Sequence, residues 1–156
     1  MRERGRLGFI VGCIDVYCEI IPYGLHVHYS SISIAKKLLG DKLYMVTDAA
    51  SPAGTNMTEF MFEGNLVYHK DGKCVDANGT LGGSALVMID GVKNLIQGAK
   101  FSYEEALKMA TSYPAKAIQV DSRYGHIKPG YIADLTYFDE NFKVKGTISK
   151  GILERY

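Results

Sequence analysis

This sequence has few cysteines, almost no net charge and no long apolar run, and each of these features excludes a class of protein. The three cysteines, Cys13, Cys18 and Cys74, form no CxxC pair, which argues against a disulfide framework and against a thiolate zinc site. They favour reduced thiols in a cytoplasmic protein. The 18 Lys and Arg residues nearly balance the 17 Asp and Glu residues, leaving a net charge of +1. Since nucleic-acid binding needs a basic face, we expect a small-molecule partner and no nucleic acid.

The N-terminal region has the charge pattern of a secretion signal but lacks its length. Arginines precede an apolar run at 7–13, which is at the short limit for a signal core. Asp15 and Glu19 interrupt any longer apolar span, so no transmembrane helix fits there. We therefore expect no membrane partner. The overall composition, 47% hydrophobic and 22% charged over 156 residues, is that of one globular domain.

The first third of the chain is predicted to be strand, helix, strand. Residues 17–21 and 43–47 are short apolar runs, typical of buried strands. Residues 30–39 carry apolar residues at helical spacing, followed by Gly40 as a C-cap. Neither strand alternates polar and apolar residues, which predicts a parallel sheet covered on both faces.

The rest of the chain mixes a hairpin, helices and a strand-rich tail. Asp71-Gly72 between strand-like runs predicts an antiparallel hairpin at about 59–75. Helices are predicted at 84–97 and at 102–112, the second opened by a capping box of Ser102 and Glu105. Pro114 is predicted to open a further short helix, and strand-like segments follow at 132–138 and 143–148.

The first candidate site residue is the carboxylate that ends an apolar run. Leu-Tyr-Met-Val at 43–46 is followed by Thr47-Asp48, then by small residues, a proline and a glycine. Active sites of α/β folds lie at the carboxyl ends of parallel strands, and small side chains after Asp48 would let a ligand approach closely. The position alone fits equally well a carboxylate that braces the following turn.

Two histidines and a glycine pair are further candidates. His26 and His28 lie on one face of a strand end, and two histidines with a carboxylate form a metal-ligand set. A hydrogen-bonded core histidine is the more common alternative. The glycines in 80–84 would present backbone N–H groups to an anion at a helix start. A turn with Ser84 as the helix N-cap is the simpler interpretation, which the residues favour.

Several segments taken together resemble one known family, the N-acetylglucosamine-6-phosphate deacetylases of the amidohydrolase superfamily, with the closely related N-acetylgalactosamine-6-phosphate deacetylases. The match is to the C-terminal part of these enzymes and covers nearly the whole chain. The segments that carry it are Gly24-Leu25-His26-Val27, Val46-Thr47-Asp48-Ala49, Pro52-Ala53-Gly54, Asn78-Gly79-Thr80-Leu81-Gly82-Gly83-Ser84, Met109-Ala110-Thr111, Tyr113-Pro114-Ala115 and Pro129-Gly130-Tyr131-Ile132-Ala133-Asp134-Leu135.

The resemblance implies an α/β fold that is the C-terminal part of a TIM (β/α)₈ barrel, its last strands and helices, plus the C-terminal strands of a small β-sandwich. A complete barrel takes about 250 residues, so the barrel in this chain is incomplete. Residues 1–123 would be the barrel part, with the β-hairpin excursion at about 59–75. Residues 124–156 would be the sandwich strands. A start methionine before Arg2-Glu3-Arg4-Gly5 suggests a truncated chain initiated inside a longer gene.

The resemblance also implies roles for individual residues. Asp48 matches the family's general base, which takes a proton from a metal-bound water and returns one to the departing amine. His26 matches a histidine that contacts the sugar phosphate. Arg2 matches an arginine that reaches the phosphate in the neighbouring subunit of a homo-oligomer, and Leu81-Gly82-Gly83 matches a loop against the sugar.

The family's metal ligands have no counterpart in this sequence. They are a glutamate and two histidines from earlier strands, holding a divalent metal such as zinc or iron, so we expect this chain to bind no metal. His28 is not a ligand in the family, and Tyr23 stands where the family has an acidic residue. Two hypotheses follow. The chain is either the C-terminal part of an enzyme that deacetylates an N-acetyl-hexosamine 6-phosphate and requires the missing N-terminal half, or a non-catalytic remnant of an interrupted gene.

Overall fold

The structure, a computed structural model, describes residues 16–25, 27–70 and 72–156. Of Leu81 it describes the backbone alone. Within these ranges the chain forms nine strands in three sheets, four α-helices and one 3₁₀ turn at Gly40–Lys42. None of the helices in these ranges is long and apolar enough to cross a membrane. The strands are β1 (Cys18–Ile20), β2 (Leu43–Met45), β3 (Glu59–Phe62), β4 (Asn65–Lys70), β5 (Lys73–Asp76), β6 (Leu81–Ser84), β7 (Leu135–Phe138), β8 (Val144–Ser149) and β9 (Ile152–Arg155). The helices are α1 (Tyr29–Leu39), α2 (Met88–Gln97), α3 (Tyr103–Ala110) and α4 (Ser112–Ala117).

The parallel unit predicted from the sequence is made by β1, α1 and β2. β1 pairs with β2 in parallel, with Ile20 opposite Met45, and α1 makes the crossover between them. The helix ends at Gly40, whose φ of 56° suits a residue without a side chain. Lys36 Nζ donates to the Gly40 carbonyl oxygen at 2.7 Å. The predicted strand, helix and strand are therefore confirmed.

One face of this two-stranded sheet is buried and the other carries a polar pair. Leu43 and Met45 are almost fully buried and belong to the same core as α1. On the opposite face Glu19 is exposed, and its Oε1 accepts a hydrogen bond from the Tyr44 hydroxyl at 2.8 Å. The expectation that both faces are covered is therefore wrong for the described part of the chain. A strand of three residues is too short for its apolar pattern to mark the open face.

The predicted hairpin forms the centre of an antiparallel sheet made of β3, β4, β5 and β6. β4 and β5 join through a two-residue connection, with Lys70 opposite Lys73, which confirms the hairpin. The sheet has a small buried cluster of its own, made of Phe60, Val67 and Cys74, with Ala50 and Ala85 packed against it.

The helix start predicted at residue 84 is wrong. Residues 81–84 form β6, which pairs with β5, and α2 begins only at Met88 with Val87 as its N-cap. Pairing with β5 gives residues 81–84 backbone hydrogen bonds that the local sequence does not reveal. Ser84 is therefore a strand residue and not the predicted helix N-cap.

The main hydrophobic core lies between the parallel strands and the helices. Ser102 is the N-cap of α3, and its Oγ accepts a hydrogen bond from the Glu105 N–H at 3.2 Å, which confirms one half of the predicted capping box. The other half is wrong, because the Glu105 carboxylate accepts the Tyr113 hydroxyl at 3.0 Å and pairs with Lys36 of α1 instead of accepting the Ser102 N–H. These contacts tie α1 to the later helices. The buried core residues are Ile20, Ile32, Ala35, Leu39, Leu43, Met45, Val92, Leu95, Ala99, Ala106, Met109 and Phe142.

β7, β8 and β9 form an antiparallel sheet that contacts the helices through Phe142. The two predicted strands of the tail are confirmed, and β9 adds a third. Phe142 is 7% exposed. Its ring stacks on Tyr103 of α3, with centroids 5.7 Å apart, and on Phe138 of β7, with centroids 5.9 Å apart. An aromatic stack therefore joins the last sheet to the helical core.

Candidate active site

Asp48 follows β2 by three residues and lies at the carboxyl end of the parallel unit. Its φ is 51°, in the left-handed region, which is unfavourable for residues with a Cβ and which Asp tolerates better than most. The residue is exposed, so its carboxylate is open to a ligand. A conformation of this kind persists only where the surrounding structure enforces it.

Ser84 of β6 provides that enforcement. The Ser84 N–H donates to the Asp48 carbonyl oxygen at 2.9 Å, and the Ala50 N–H donates to the Ser84 carbonyl oxygen at 2.8 Å. The Ser84 hydroxyl donates to the Thr47 carbonyl oxygen at 2.6 Å and accepts from the Leu86 N–H at 3.0 Å. Ser84 is fully buried, and it holds the chain on both sides of Asp48.

Gly82 and Gly83 allow β6 to approach Asp48 closely. A Cβ at Gly83 would lie 3.4 Å from the Asp48 carbonyl oxygen, and the φ of Gly83 is 103°, which glycine alone adopts readily. A Cβ at Gly82 would meet open space among the described residues, so the backbone there is accessible. The structure therefore brings together Asp48, Gly82 and Gly83 of the predicted residues, with Leu81 at the start of the same strand.

Tyr23 also belongs to this site, although its sequence position indicates only a departure from the family pattern. It follows β1 by three residues, as Asp48 follows β2. The register of Ile20 opposite Met45 puts the two positions side by side at the carboxyl ends of parallel strands. The Tyr23 hydroxyl oxygen is buried. Burial raises the pKa of the Tyr23 phenol, and the Cys74 thiol and the Asp48 carboxylate raise it further. Equal spacing from the two strand ends was the signal that could have identified it.

Three further residues were predicted as contacts or ligands. His26 and Arg2, the predicted phosphate contacts, lie outside the described residues. His28 caps α1, because its Nδ1 accepts a hydrogen bond from the Ser30 N–H at 3.2 Å. Across the described ranges, no group of three or more His, Cys, Asp and Glu side chains could hold a metal ion. A catalytic metal of this kind needs about three protein ligands, so the described residues around Asp48 do not by themselves fit one.

Comparison with known proteins identifies the class of protein to which this site belongs. The sequence model of the Amidohydrolase family matches residues 5–153, and the chain therefore belongs to the amidohydrolase family. Its curated relatives include an N-acetylglucosamine-6-phosphate deacetylase of Haemophilus influenzae, 40% identical over 152 residues that make up 96% of this chain and 40% of that protein. An N-acetylgalactosamine-6-phosphate deacetylase of a Shewanella species is 35% identical, over 92% of this chain and 36% of that protein.

The fold agrees with the same group of proteins. The crystal structure of N-acetylglucosamine-6-phosphate deacetylase from Pasteurella multocida matches with a TM-score of 0.88 and 48% sequence identity, over 91% of this chain and 38% of that chain. The resemblance stated from the motifs is therefore confirmed, as is a mixed α/β fold. The chain spans about 40% of the length of the first curated relative.

Proposed function

We propose that this chain is part of an enzyme that deacetylates an N-acetyl-hexosamine 6-phosphate, converting N-acetylglucosamine 6-phosphate or its galactosamine counterpart to the amine and acetate. The names of the related proteins support this substrate class. The observation that carries the proposal is the exposure of the Asp48 carboxylate together with the backbone conformation of Asp48. Its carboxylate is exposed at the end of a parallel strand while its backbone is held in the left-handed region. Strain of this kind clusters at active sites.

Asp48 would carry the proton in amide hydrolysis. Its carboxylate takes a proton from water as the water oxygen bonds to the acetyl carbon. It then returns that proton to the nitrogen as the carbon–nitrogen bond breaks, which releases the amine and acetic acid. General acid–base catalysis of this kind contributes about two to four orders of magnitude in rate.

The sugar would lie along β6. Gly82 and Gly83 have no side chains to hold it away from the backbone, and Gly83 is directly beside Asp48. We assign the phosphate to His26 of the same chain and to Arg2 of a neighbouring copy in a homo-oligomer, as the family resemblance implies. Since sugar phosphates are cytoplasmic metabolites, a cytoplasmic location fits this substrate.

We further propose that β1 and β2 are the last two strands of a TIM barrel. Their parallel pairing around a crossover helix supports this placement, and the polar face of Glu19 and Tyr44 would then point into the barrel. Residues 1–123 would belong to the barrel and 124–156 to a small β-sandwich. A barrel of about 250 residues needs strands beyond those in this chain.

The family resemblance, and no described residue of this chain, implies a divalent metal such as zinc or iron. Such a metal, if held by the assembled protein, would supply Lewis-acid polarisation of a carbonyl and activation of water. The described residues do not supply its ligand set, so its ligands would come from other parts of the assembled protein.

A non-catalytic product is the second candidate. It would retain the Asp48 site without hydrolysing the substrate. The incomplete donor set in the described ranges supports this candidate for these 156 residues by themselves.

The test is acetate release from N-acetylglucosamine 6-phosphate and from N-acetylgalactosamine 6-phosphate, with zinc or iron(II) added. The 156-residue chain is assayed alone and joined to the N-terminal remainder of the Haemophilus influenzae relative. We expect activity in the joined protein, and Asp48→Asn should lower kcat by about two to four orders of magnitude. His26→Asn should act mainly on KM, because a contact that is equal in the ground and transition states affects binding.

Asp121→Asn is the matched control, since Asp121 is an exposed carboxylate remote from β2 in the sequence. Activity of the joined protein that survives Asp48→Asn would contradict the assigned role. Activity of the chain alone would contradict the second candidate.

A further inference from the structure

We infer that Ser84 is a positioning residue that sets the backbone conformation of Asp48. The inference rests on the proposed function of Asp48. It concerns the hydroxyl of Ser84 in particular, because any residue at this place in β6 would keep the backbone hydrogen bonds of the strand.

Ser84 holds both peptide groups that flank Asp48. The peptide group before Asp48 contains the Thr47 carbonyl oxygen, which accepts the Ser84 hydroxyl at 2.6 Å. The peptide group after it contains the Asp48 carbonyl oxygen, which accepts the Ser84 N–H at 2.9 Å. Since each peptide group is planar, the orientations of these two groups fix the φ and ψ of the residue between them. One residue of β6 therefore restrains both dihedral angles of Asp48.

The hydroxyl is well suited to this task because it is buried and fully engaged. Ser84 is 0% exposed, and its Oγ also accepts the Leu86 N–H at 3.0 Å. Removing Oγ would leave the Thr47 carbonyl oxygen and the Leu86 N–H to find new partners in a site with little water, which is unfavourable. The first peptide group could then rotate, and the left-handed φ of Asp48 would lose its support.

The experiment measures amide hydrogen exchange of the full 156-residue chain by NMR, and kinetics in the joined protein described above. In Ser84→Ala the Leu86 amide loses its hydrogen-bond acceptor, so its exchange should become about tenfold faster or more. The freed peptide group between Thr47 and Asp48 should also loosen the backbone pairing around Asp48, so that the Ala50 and residue-84 amides exchange faster than in the parent. In the kinetic assay, kcat should fall while KM stays close to that of the parent. Ser84→Cys, which keeps a weaker hydrogen-bonding group, should give intermediate values and serves if Ser84→Ala does not fold.

Ser102→Ala is the matched control, because it removes a serine hydroxyl that accepts a backbone N–H at the start of α3. It should speed exchange in α3 and leave Ala50 and kcat unchanged. Unchanged exchange at Ala50 and residue 84 in Ser84→Ala would overturn the inference, even in an enzyme with full Asp48-dependent activity. Faster exchange in a protein without deacetylase activity would overturn the proposed function and support the control of Asp48 by Ser84.

Discussion

Substitutions at Asp48 should separate its chemistry from its effect on folding, because its φ is 51°. The left-handed region is unfavourable by roughly 1–2 kcal/mol for a residue with a Cβ, and glycine avoids this. Glycine also gains about 0.5–1 kcal/mol of chain freedom in the unfolded state. The difference predicts that Asp48→Gly has a free energy of unfolding about 0 to 1.5 kcal/mol above that of Asp48→Ala. Asp48→Asn should change the parent's free energy of unfolding little, and Asp48→Ala should lower it by up to about 1 kcal/mol.

The assay is urea unfolding of the three variants followed by circular dichroism, with deacetylation measured in the joined protein. All three substitutions should abolish most activity, while Asp48→Ala is the least stable of the three. Lys150→Gly is the control, because Lys150 has a φ of 49° in the turn between β8 and β9 and should gain stability without losing activity. Equal stability of Asp48→Gly and Asp48→Ala would refute the backbone argument. Near-parental kcat in Asp48→Asn would make Asp48 a residue that braces its turn.

Three further predictions test contacts of the fold. Phe142→Ala should lower the free energy of unfolding by about 3–5 kcal/mol in a urea titration, because the buried Phe142 ring is stacked on two other rings. Phe62→Ala is the control and should change that free energy far less, because Phe62 is 57% exposed. Lys36→Met should lower the free energy of unfolding by about 1–3 kcal/mol, because it leaves the half-buried Glu105 carboxylate and the Gly40 carbonyl oxygen without their cation. An unchanged denaturation midpoint would contradict this prediction. Burial and the hydrogen bond to Glu19 raise the pKa of Tyr44 from 10.0 to about 12. The neutral phenol therefore stabilises the fold below pH 10, and this contribution is lost as the pH rises towards 12. Ultraviolet titration of tyrosinate should show a lower pKa for Tyr44 in Glu19→Gln. An unshifted Tyr44 titration would show that the hydrogen bond to Glu19 does not raise this pKa.

Local sequence determined the elements that depend on local interactions. The β1–α1–β2 unit followed from two apolar runs around a helical pattern ending at Gly40, and the start of α3 followed from Ser102. The hairpin followed from Asp71-Gly72, since hairpin turns require particular residues. The motifs around Asp48 and 82–83 predicted the family only together with the other matching segments along the chain, because each short motif by itself is unspecific.

Only the tertiary structure decided how the parts of the site are held together. Residues 81–84 became a strand rather than a helix start because β5 pairs with them, and backbone pairing across the chain outweighs local propensity. The hydroxyl of Ser84 reaches a carbonyl oxygen 37 residues earlier in the chain, at Thr47. Tyr23 joins Asp48 only through the register of two parallel strands. Such contacts depend on pairing between distant segments, and this is why the sequence identified Asp48 while the fold alone determined its conformation.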